Sequence, residues 1–148
     1  MLGMPRAKPK PNISQTQENP MRCQLDMIGL VVEDIAASVA FYRTLGMEIP
    51  ELDTSEPYAE VELRGGIRLS WNTVAMMREI QGHWDQPVGH RMGLAFLYDS
   101  PAEVDAAFAT VVAAGYSGVK EPWDAFWGQR YAQVADPDGN LVDLFAPL

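Results

Sequence analysis

The chain has 148 residues, of which 47% are hydrophobic and 21% are charged, and its formal net charge at pH 7 is −9. This size and composition predict one domain with one hydrophobic core. The negative charge argues against a nucleic-acid partner, because such proteins place Lys and Arg against phosphates, and no apolar run approaches the roughly 20 residues of a membrane-spanning helix.

The start of the chain differs in composition from the rest. Residues 1–22 contain several Pro, Lys and Gln residues and few side chains that a core could bury, so we expect a disordered arm there and a single domain over residues 23–148. The N-terminal residues lack the apolar core of a signal peptide. Cys23 is the single cysteine, which fits a reducing compartment. We therefore expect a cytoplasmic protein with no membrane partner.

Residues 25–72 predict a β-α-β-β-β module. Residues 25–32 are apolar and predict a strand, and Asp34 opens a helix that ends at Gly46. Three further strands are expected at residues 47–51, 58–63 and 67–72, the last two joined by a Gly-Gly turn. Residues 73–89 predict an irregular linker. The expected buried stripe of the helix consists of Ile35, Val39 and Tyr42.

Residues 90–148 repeat this order. A strand ends before Ser100, which forms a capping box with Glu103 and opens a helix that ends at Gly115. Short strands follow at residues 116–119, 131–135 and 140–145, the last two joined by a Pro-Asp-Gly turn. An internal repeat of this size predicts an α+β fold of two tandem βαβββ modules that form a curled mixed sheet around a cleft.

Three segments follow one another along the two modules, namely VED at residues 32–34, FYRTLG at residues 41–46 and DPDGNLVDL at residues 136–144. Together with the repeated module they resemble the vicinal oxygen chelate superfamily, which includes glyoxalase I, extradiol dioxygenases, fosfomycin-resistance enzymes and bleomycin-resistance proteins. The resemblance covers residues 25–148. It implies a cleft between paired modules, and commonly two associated chains, so a homodimer is expected.

Enzymes of that superfamily hold a divalent metal with one side chain from the first strand and one from the last strand of each module. The first-strand positions lie seven residues before Asp34 and Asp99, and the last-strand positions lie four residues after Gly66 and Gly139. Only Asp143 in the resulting set is a ligand that hard divalent ions prefer, so we expect no metal. A metal held by Asp143 with His83 or His90 remains the alternative. The set is Met27, Met92, Asp143 and either Ser70 or Arg68.

Without a metal, the residues describe an apolar cleft that contains one carboxylate. Aromatic and Met side chains suit a bulky or aromatic ligand, and we expect Trp123 on an exposed turn after Pro122. Asp143 has three possible roles, namely pairing with Arg68 or Arg130, acting as counter-ion to a cationic ligand, and serving as a general base. The predicted ligand-binding residues are Met27, Ser70, Met92, Phe96, Trp123, Trp127, Tyr131, Asp143 and Phe145.

Two classes of function follow. The first is a metal-independent protein that binds a drug-like, aromatic or cationic small molecule, as bleomycin-resistance proteins do. The second is a glyoxalase- or dioxygenase-like lyase, isomerase or oxygenase that acts on a small organic substrate with or without a divalent metal, with Asp143 as the candidate catalytic residue. The residues at the metal-ligand positions favour the first class over an enzyme, although the sequence leaves the second open.

Overall fold

The computed structural model describes residues 22–148, so the arm expected at residues 1–22 lies outside the described residues except for Arg22. Two mixed β-sheets form, with strand orders β1-β3-β2 and β4-β7-β6-β5. This arrangement confirms the expected α+β fold of two consecutive modules. The elements are β1 (Met27–Val32), α1 (Ile35–Thr44), β2 (Tyr58–Glu62), β3 (Arg68–Thr73), α2 (Val74–Gln81), β4 (Leu94–Leu97), α3 (Pro101–Ala113), β5 (Ser117–Ala125), β6 (Gln129–Ala135) and β7 (Leu141–Pro147).

The first helix begins and ends where its sequence predicts. The Asp34 carboxylate accepts a hydrogen bond from the Ala37 backbone N–H at 3.1 Å and caps the helix. Gly46 has a φ of 96°, the left-handed conformation that ends helices and favours glycine. The predicted stripe of α1 is buried, so the helix packs on β3 and on the second module.

The strand predicted at residues 47–51 is wrong, because these residues form no strand. The Arg43 guanidinium donates to the carbonyls of Ile49, at 3.1 and 3.2 Å, and of Pro50, at 2.6 Å. Those two acceptors are therefore already bound to a side chain, and Pro50 has no N–H to offer a sheet. The first module consequently has three strands instead of four.

The linker predicted to be irregular contains a helix, α2. The Thr73 hydroxyl accepts from the Met76 backbone N–H at 3.1 Å, and Gly82 ends the helix with a φ of 79°. Val74 is the one buried residue of this eight-residue helix, which is too short for its apolar positions to repeat over several turns. Across residues 22–148, no helix combines the length and apolar character needed to cross a lipid bilayer.

The second module keeps all four strands. Ser100 and Glu103 form the predicted capping box at the start of α3. The strand expected at residues 116–119 extends to Ala125, with register irregularities opposite β6, and contains Trp123. The prediction of Trp123 on an exposed turn is therefore wrong, because the irregular pairing lets the strand continue past Pro122.

Hydrogen bonds and aromatic contacts join the two modules. The Tyr42 hydroxyl of α1 donates to the Asp136 carboxylate at 2.9 Å, and the Tyr98 hydroxyl donates to the Leu45 carbonyl at 2.7 Å. The rings of Phe41 and Tyr116 meet edge to face with centroids 5.0 Å apart. In each sheet, one face packs against the buried core and the other is open. We refer to the latter as the open face of that sheet.

Candidate functional site

The open face of the second sheet is defined by alternation along β6 and β7. Val142, Leu144 and Ala146 are fully buried on the core side, whereas the residues between them are half-buried. Antiparallel register places Tyr131 opposite Phe145 and Gln133 opposite Asp143, and parallel register places Ala95 and Leu97 of β4 beside Asp143 and Phe145. Paired residues point to the same face of a sheet. The open face therefore carries an aromatic row, Trp123, Tyr131 and Phe145, and a polar row, Lys120, Gln133 and Asp143.

The aromatic row is a continuous contact surface. The Tyr131 ring stacks on Phe145 with an interplanar angle of 25°, and its centroid lies 5.4 Å from that of Trp123. Trp127 approaches from the β5–β6 turn, 5.3 Å from Tyr131 and 6.2 Å from Trp123. Trp127 is 49% exposed and Phe126, which contacts it, is 97% exposed. Large rings with this much exposure are free to stack on a planar ligand.

Asp143 lies beside this aromatic surface and accepts two hydrogen bonds from neutral groups. The Tyr131 hydroxyl donates at 2.8 Å and the Gln133 side-chain amide donates at 3.0 Å. Burial, followed by the hydrogen bond to Asp143 and its charge, raises the pKa of Tyr131 to about 12. Tyr131 therefore stays protonated at neutral pH and fixes the position of the carboxylate.

The arginine pairing considered for Asp143 is wrong. Arg68 forms its ion pairs with Asp26 and Glu60, on the first sheet. Arg130 projects from the core side of β6 and pairs with Asp105 and Asp124. Within residues 22–148, no basic side chain forms a salt bridge with Asp143.

The alignment that placed Phe96 among the ligand-binding residues is wrong by one residue. The helix caps that correspond between the modules are Asp34 and Ser100, not Asp34 and Asp99. A shift of one residue moves a strand's side chains to the opposite face. Phe96 accordingly packs against the core, with its ring centroid 6.0 Å from that of Tyr42. Gly93, and not Met92, corresponds to Met27.

The remaining predicted residues lie away from the aromatic row. Met27 and Ser70 are on the open face of the first sheet, where Ser70 is buried and accepts from the Asn72 side-chain amide at 3.2 Å. Met92 precedes β4 and lines a cavity of about 240 Å³ beside β1 and Trp84. Of the predicted site residues, the structure therefore brings together Trp123, Trp127, Tyr131, Asp143 and Phe145.

The residues at the superfamily's metal-ligand positions do not fit a divalent metal. Asp143 supplies a carboxylate, but the other positions hold the thioether of Met27, the hydroxyl of Ser70 and Gly93, which has no side chain. Hard cations need more carboxylate, carbonyl or imidazole ligands than this set offers. His83 lies 3.4 Å from Asp85 in an exposed pair, and His90 is exposed in the segment between α2 and β4. Among the described residues, no group of three or more His, Cys, Asp and Glu side chains is placed to hold a metal ion.

Lys120 was missed by the sequence analysis. Its ammonium lies 3.7 Å from the centroid of the Trp123 ring, and its backbone pairs with that of Gln133. The register irregularities on either side of Lys120 hide its face from a count of alternate residues. Gln133, in contrast, could have been placed opposite Asp143 by counting outward from the Pro137–Gly139 turn.

The chain resembles proteins of known structure over most of its length. A structure of a glyoxalase/bleomycin resistance protein/dioxygenase from Nocardioides is 29% identical, with a TM-score of 0.69 over 90% of this chain and 89% of the other. A family enzyme from Burkholderia phytofirmans PsJN shares the fold at 22% identity, with a TM-score of 0.71 over 85% of this chain and 100% of the other. The uncharacterized protein YraH of Bacillus subtilis (strain 168) is 29% identical over 128 residues, which are 84% of this chain and 99% of that protein.

The glyoxalase/bleomycin resistance protein/dioxygenase superfamily model matches residues 24–144, which cover the first module and the second module as far as Leu144 in β7. The chain belongs to the glyoxalase/bleomycin resistance protein/dioxygenase superfamily.

Proposed function

We propose that this protein binds a small aromatic molecule with a positively charged group, and that it does so on the open face of the second sheet without a metal. One observation carries the proposal. The Asp143 carboxylate lies next to stacked aromatic rings, is held by two neutral donors, and has no ion-pair partner among residues 22–148. A partly buried carboxylate in such surroundings favours a cation brought by a ligand.

The aromatic row supplies the second part of the affinity. A planar ligand that covers Trp127 and its neighbours removes exposed ring surface from water. Offset or edge-to-face ring contacts add about 0.5–1.5 kcal/mol per pair. The hydrogen bonds from Tyr131 and Gln133 fix the carboxylate before the ligand arrives, which lowers the ordering cost of binding. Binding of this kind is stoichiometric capture, with one ligand for each site.

Metal independence rests on the donor chemistry described above. A cation that Asp143 alone could ligate would have to recruit its other ligands from water or from the bound molecule, and protein metal sites that hold an ion firmly use about three protein ligands. Metal-stripped protein is therefore expected to bind the ligand as well as untreated protein does. We also infer a homodimer, as the family resemblance implies. Sedimentation velocity would test the dimer, and a monomer across the micromolar range would contradict it.

Two biphenyl compounds of nearly equal shape test the binding proposal. Biphenyl-4-ylmethylammonium is a cation and biphenyl-4-ylmethanol is neutral. Calorimetric titration at low ionic strength, with protein treated with a chelator, should give about fivefold tighter binding for the cation, which corresponds to one surface charge pair. Trp127→Ala should weaken both compounds alike, because it removes ring contact and no charge.

The charge contribution is assigned by two matched variants. Asp143→Asn should abolish the preference for the cation. Asp124→Asn removes an equal charge from the core side of the same sheet, where Asp124 pairs with Arg130, and should leave the preference unchanged. Equal affinity for the two compounds in the unmodified protein would contradict the proposal. Binding that requires added zinc, manganese or iron(II) would also contradict it.

A further inference from the structure

Lys120 and Asp143 are two opposite charges at the ends of one row, and neither forms a salt bridge within residues 22–148. Lys120 on β5 pairs in register with Gln133 on β6, which pairs with Asp143 on β7. Adjacent strands are about 4.8 Å apart, so the backbones that carry the two charges are separated by about 10 Å. Gln133 lies between them, and the aromatic row runs alongside.

The Lys120 ammonium occupies the electron-rich face of the aromatic surface. Its Nζ atom lies 3.7 Å from the Trp123 ring centroid. A ligand that carried only a positive charge would meet an existing cation when it stacked over this ring. A ligand with a negative group at the same end would instead pair with Lys120. The flexible lysine side chain can follow such a group across a few ångströms.

We propose that the ligand is an aromatic zwitterion, with a cationic amine or guanidine that pairs with Asp143 and an anionic carboxylate, sulfonate or phosphate that pairs with Lys120, at the two ends of a flat ring system. This inference rests on the proposed function, since it assigns the ligand class of that same site. Lys120 is then the residue that selects the ligand by charge. Asp143 binds one end of the ligand, the rings of Trp123 and Tyr131 bind its centre, and Lys120 binds the other end.

A third biphenyl compound tests the inference against the two already described. 4′-(Aminomethyl)biphenyl-4-carboxylic acid carries an ammonium and a carboxylate at opposite ends of the same ring system. Calorimetric titration of the unmodified protein should give about fivefold tighter binding than for the biphenyl cation, which corresponds to one further surface charge pair. The addition of 0.5 M salt should reduce this advantage, because exposed charge pairs are screened.

Two variants that each remove one positive charge locate the effect. Lys120→Met removes the ammonium and leaves an uncharged side chain of similar length. It should therefore abolish the advantage of the zwitterion and strengthen binding of the biphenyl cation. Arg64→Met removes an exposed charge from the turn between β2 and β3 and should change neither affinity. Equal weakening of the zwitterion by both variants would mean a general field effect and would overturn the inference.

The outcomes separate this inference from the proposed function. If the cation binds better than the neutral compound, but the zwitterion shows no advantage and Lys120→Met does not weaken it, the zwitterion assignment is wrong and the proposed function stands. If none of the three compounds binds, both are wrong. If the zwitterion binds best and loses about fivefold in Lys120→Met and in Asp143→Asn alike, both are supported.

Discussion

The hydrogen bond between Tyr42 and Asp136 is expected to be a main contribution to the docking of the two modules. Tyr42 is 0% exposed and Asp136 is 4% exposed, so water cannot replace the bond if it is lost. Hydrogen bonds to charged groups contribute about 1.5–3 kcal/mol. In Tyr42→Phe, Asp136 keeps the donors of the Asp138 and Asn140 backbones and of the Asn140 side chain. Because the carboxylate is not left without partners, we expect a loss near the lower end, about 1.5–2 kcal/mol.

Urea denaturation at pH 7 measures this loss, and Tyr98→Phe is a matched control. Tyr98 also joins the modules, but its hydroxyl donates to the neutral Leu45 carbonyl and the residue is only half-buried. Its removal should cost about 0.5–1.5 kcal/mol. Burial raises the pKa of Tyr98 to about 12 and that of Tyr42 further above its usual range. Both hydroxyls are therefore protonated at pH 7 in the folded and unfolded chain, and the comparison contains no titration effect.

The result that would refute this reasoning is a Tyr42→Phe variant no less stable than Tyr98→Phe, with an unchanged dependence of the unfolding free energy on urea concentration. That outcome would mean that the charge of Asp136 adds nothing to the bond. A double-mutant cycle of Tyr42→Phe with Asp136→Asn should give a coupling energy of about 1 kcal/mol or more, since the two groups are in direct contact.

Two further predictions concern charge and packing. Partial desolvation, and then repulsion from neighbouring carboxylates, raises the pKa of Asp138 even though it accepts a hydrogen bond from the Glu33 backbone N–H. A carboxyl whose pKa is higher in the folded chain destabilises the fold above the unfolded pKa, so Asp138→Asn, which keeps an acceptor oxygen, should stabilise the protein at pH 7 by less than about 1 kcal/mol. Urea denaturation should show this gain disappearing below about pH 4, and a gain that persists at pH 3 would contradict the electrostatic cause. In Gly118→Ala, the new Cβ would lie 2.7 Å from the Phe108 ring tip and should cost about 1–3 kcal/mol. Thermal unfolding should show that Phe108→Leu recovers part of this loss, and strict additivity would contradict the proposed clash.

The sequence predicted those elements whose ends are marked by local chemistry. Asp34 and the Ser100 capping box placed the two main helices, and the turn at Gly139 placed the last hairpin, because each motif satisfies backbone groups within a few residues. The absence of a strand at residues 47–51 could not be predicted in this way. The carbonyls of Ile49 and Pro50 are bound by the Arg43 side chain of α1, and this contact leaves no local sequence pattern.

Part of the candidate site could be predicted for the same reason. Tyr131, Asp143 and Phe145 lie on one hairpin, so the turn residues determine which of their side chains share a face. The position of Lys120 depends on the irregular pairing of β5, and the face of Phe96 depends on which residue caps α3. To predict the face of either side chain, the strand register must be correct to one residue. An error of one residue moves the side chain from the core face to the open face.

The Asp136 carboxylate connects the docking of the two modules to the geometry of the candidate site. Asp136 accepts from the Tyr42 hydroxyl of the first module and from the Asn140 backbone N–H in the turn that joins β6 to β7. That turn sets the register in which Gln133 lies opposite Asp143. Because the register is also held by the other paired residues along β6 and β7, Tyr42→Phe should lower stability while leaving the affinity for the biphenyl cation unchanged. A variant that lowered both together would indicate that the docked first module, and not the hairpin alone, holds Asp143 in its binding position.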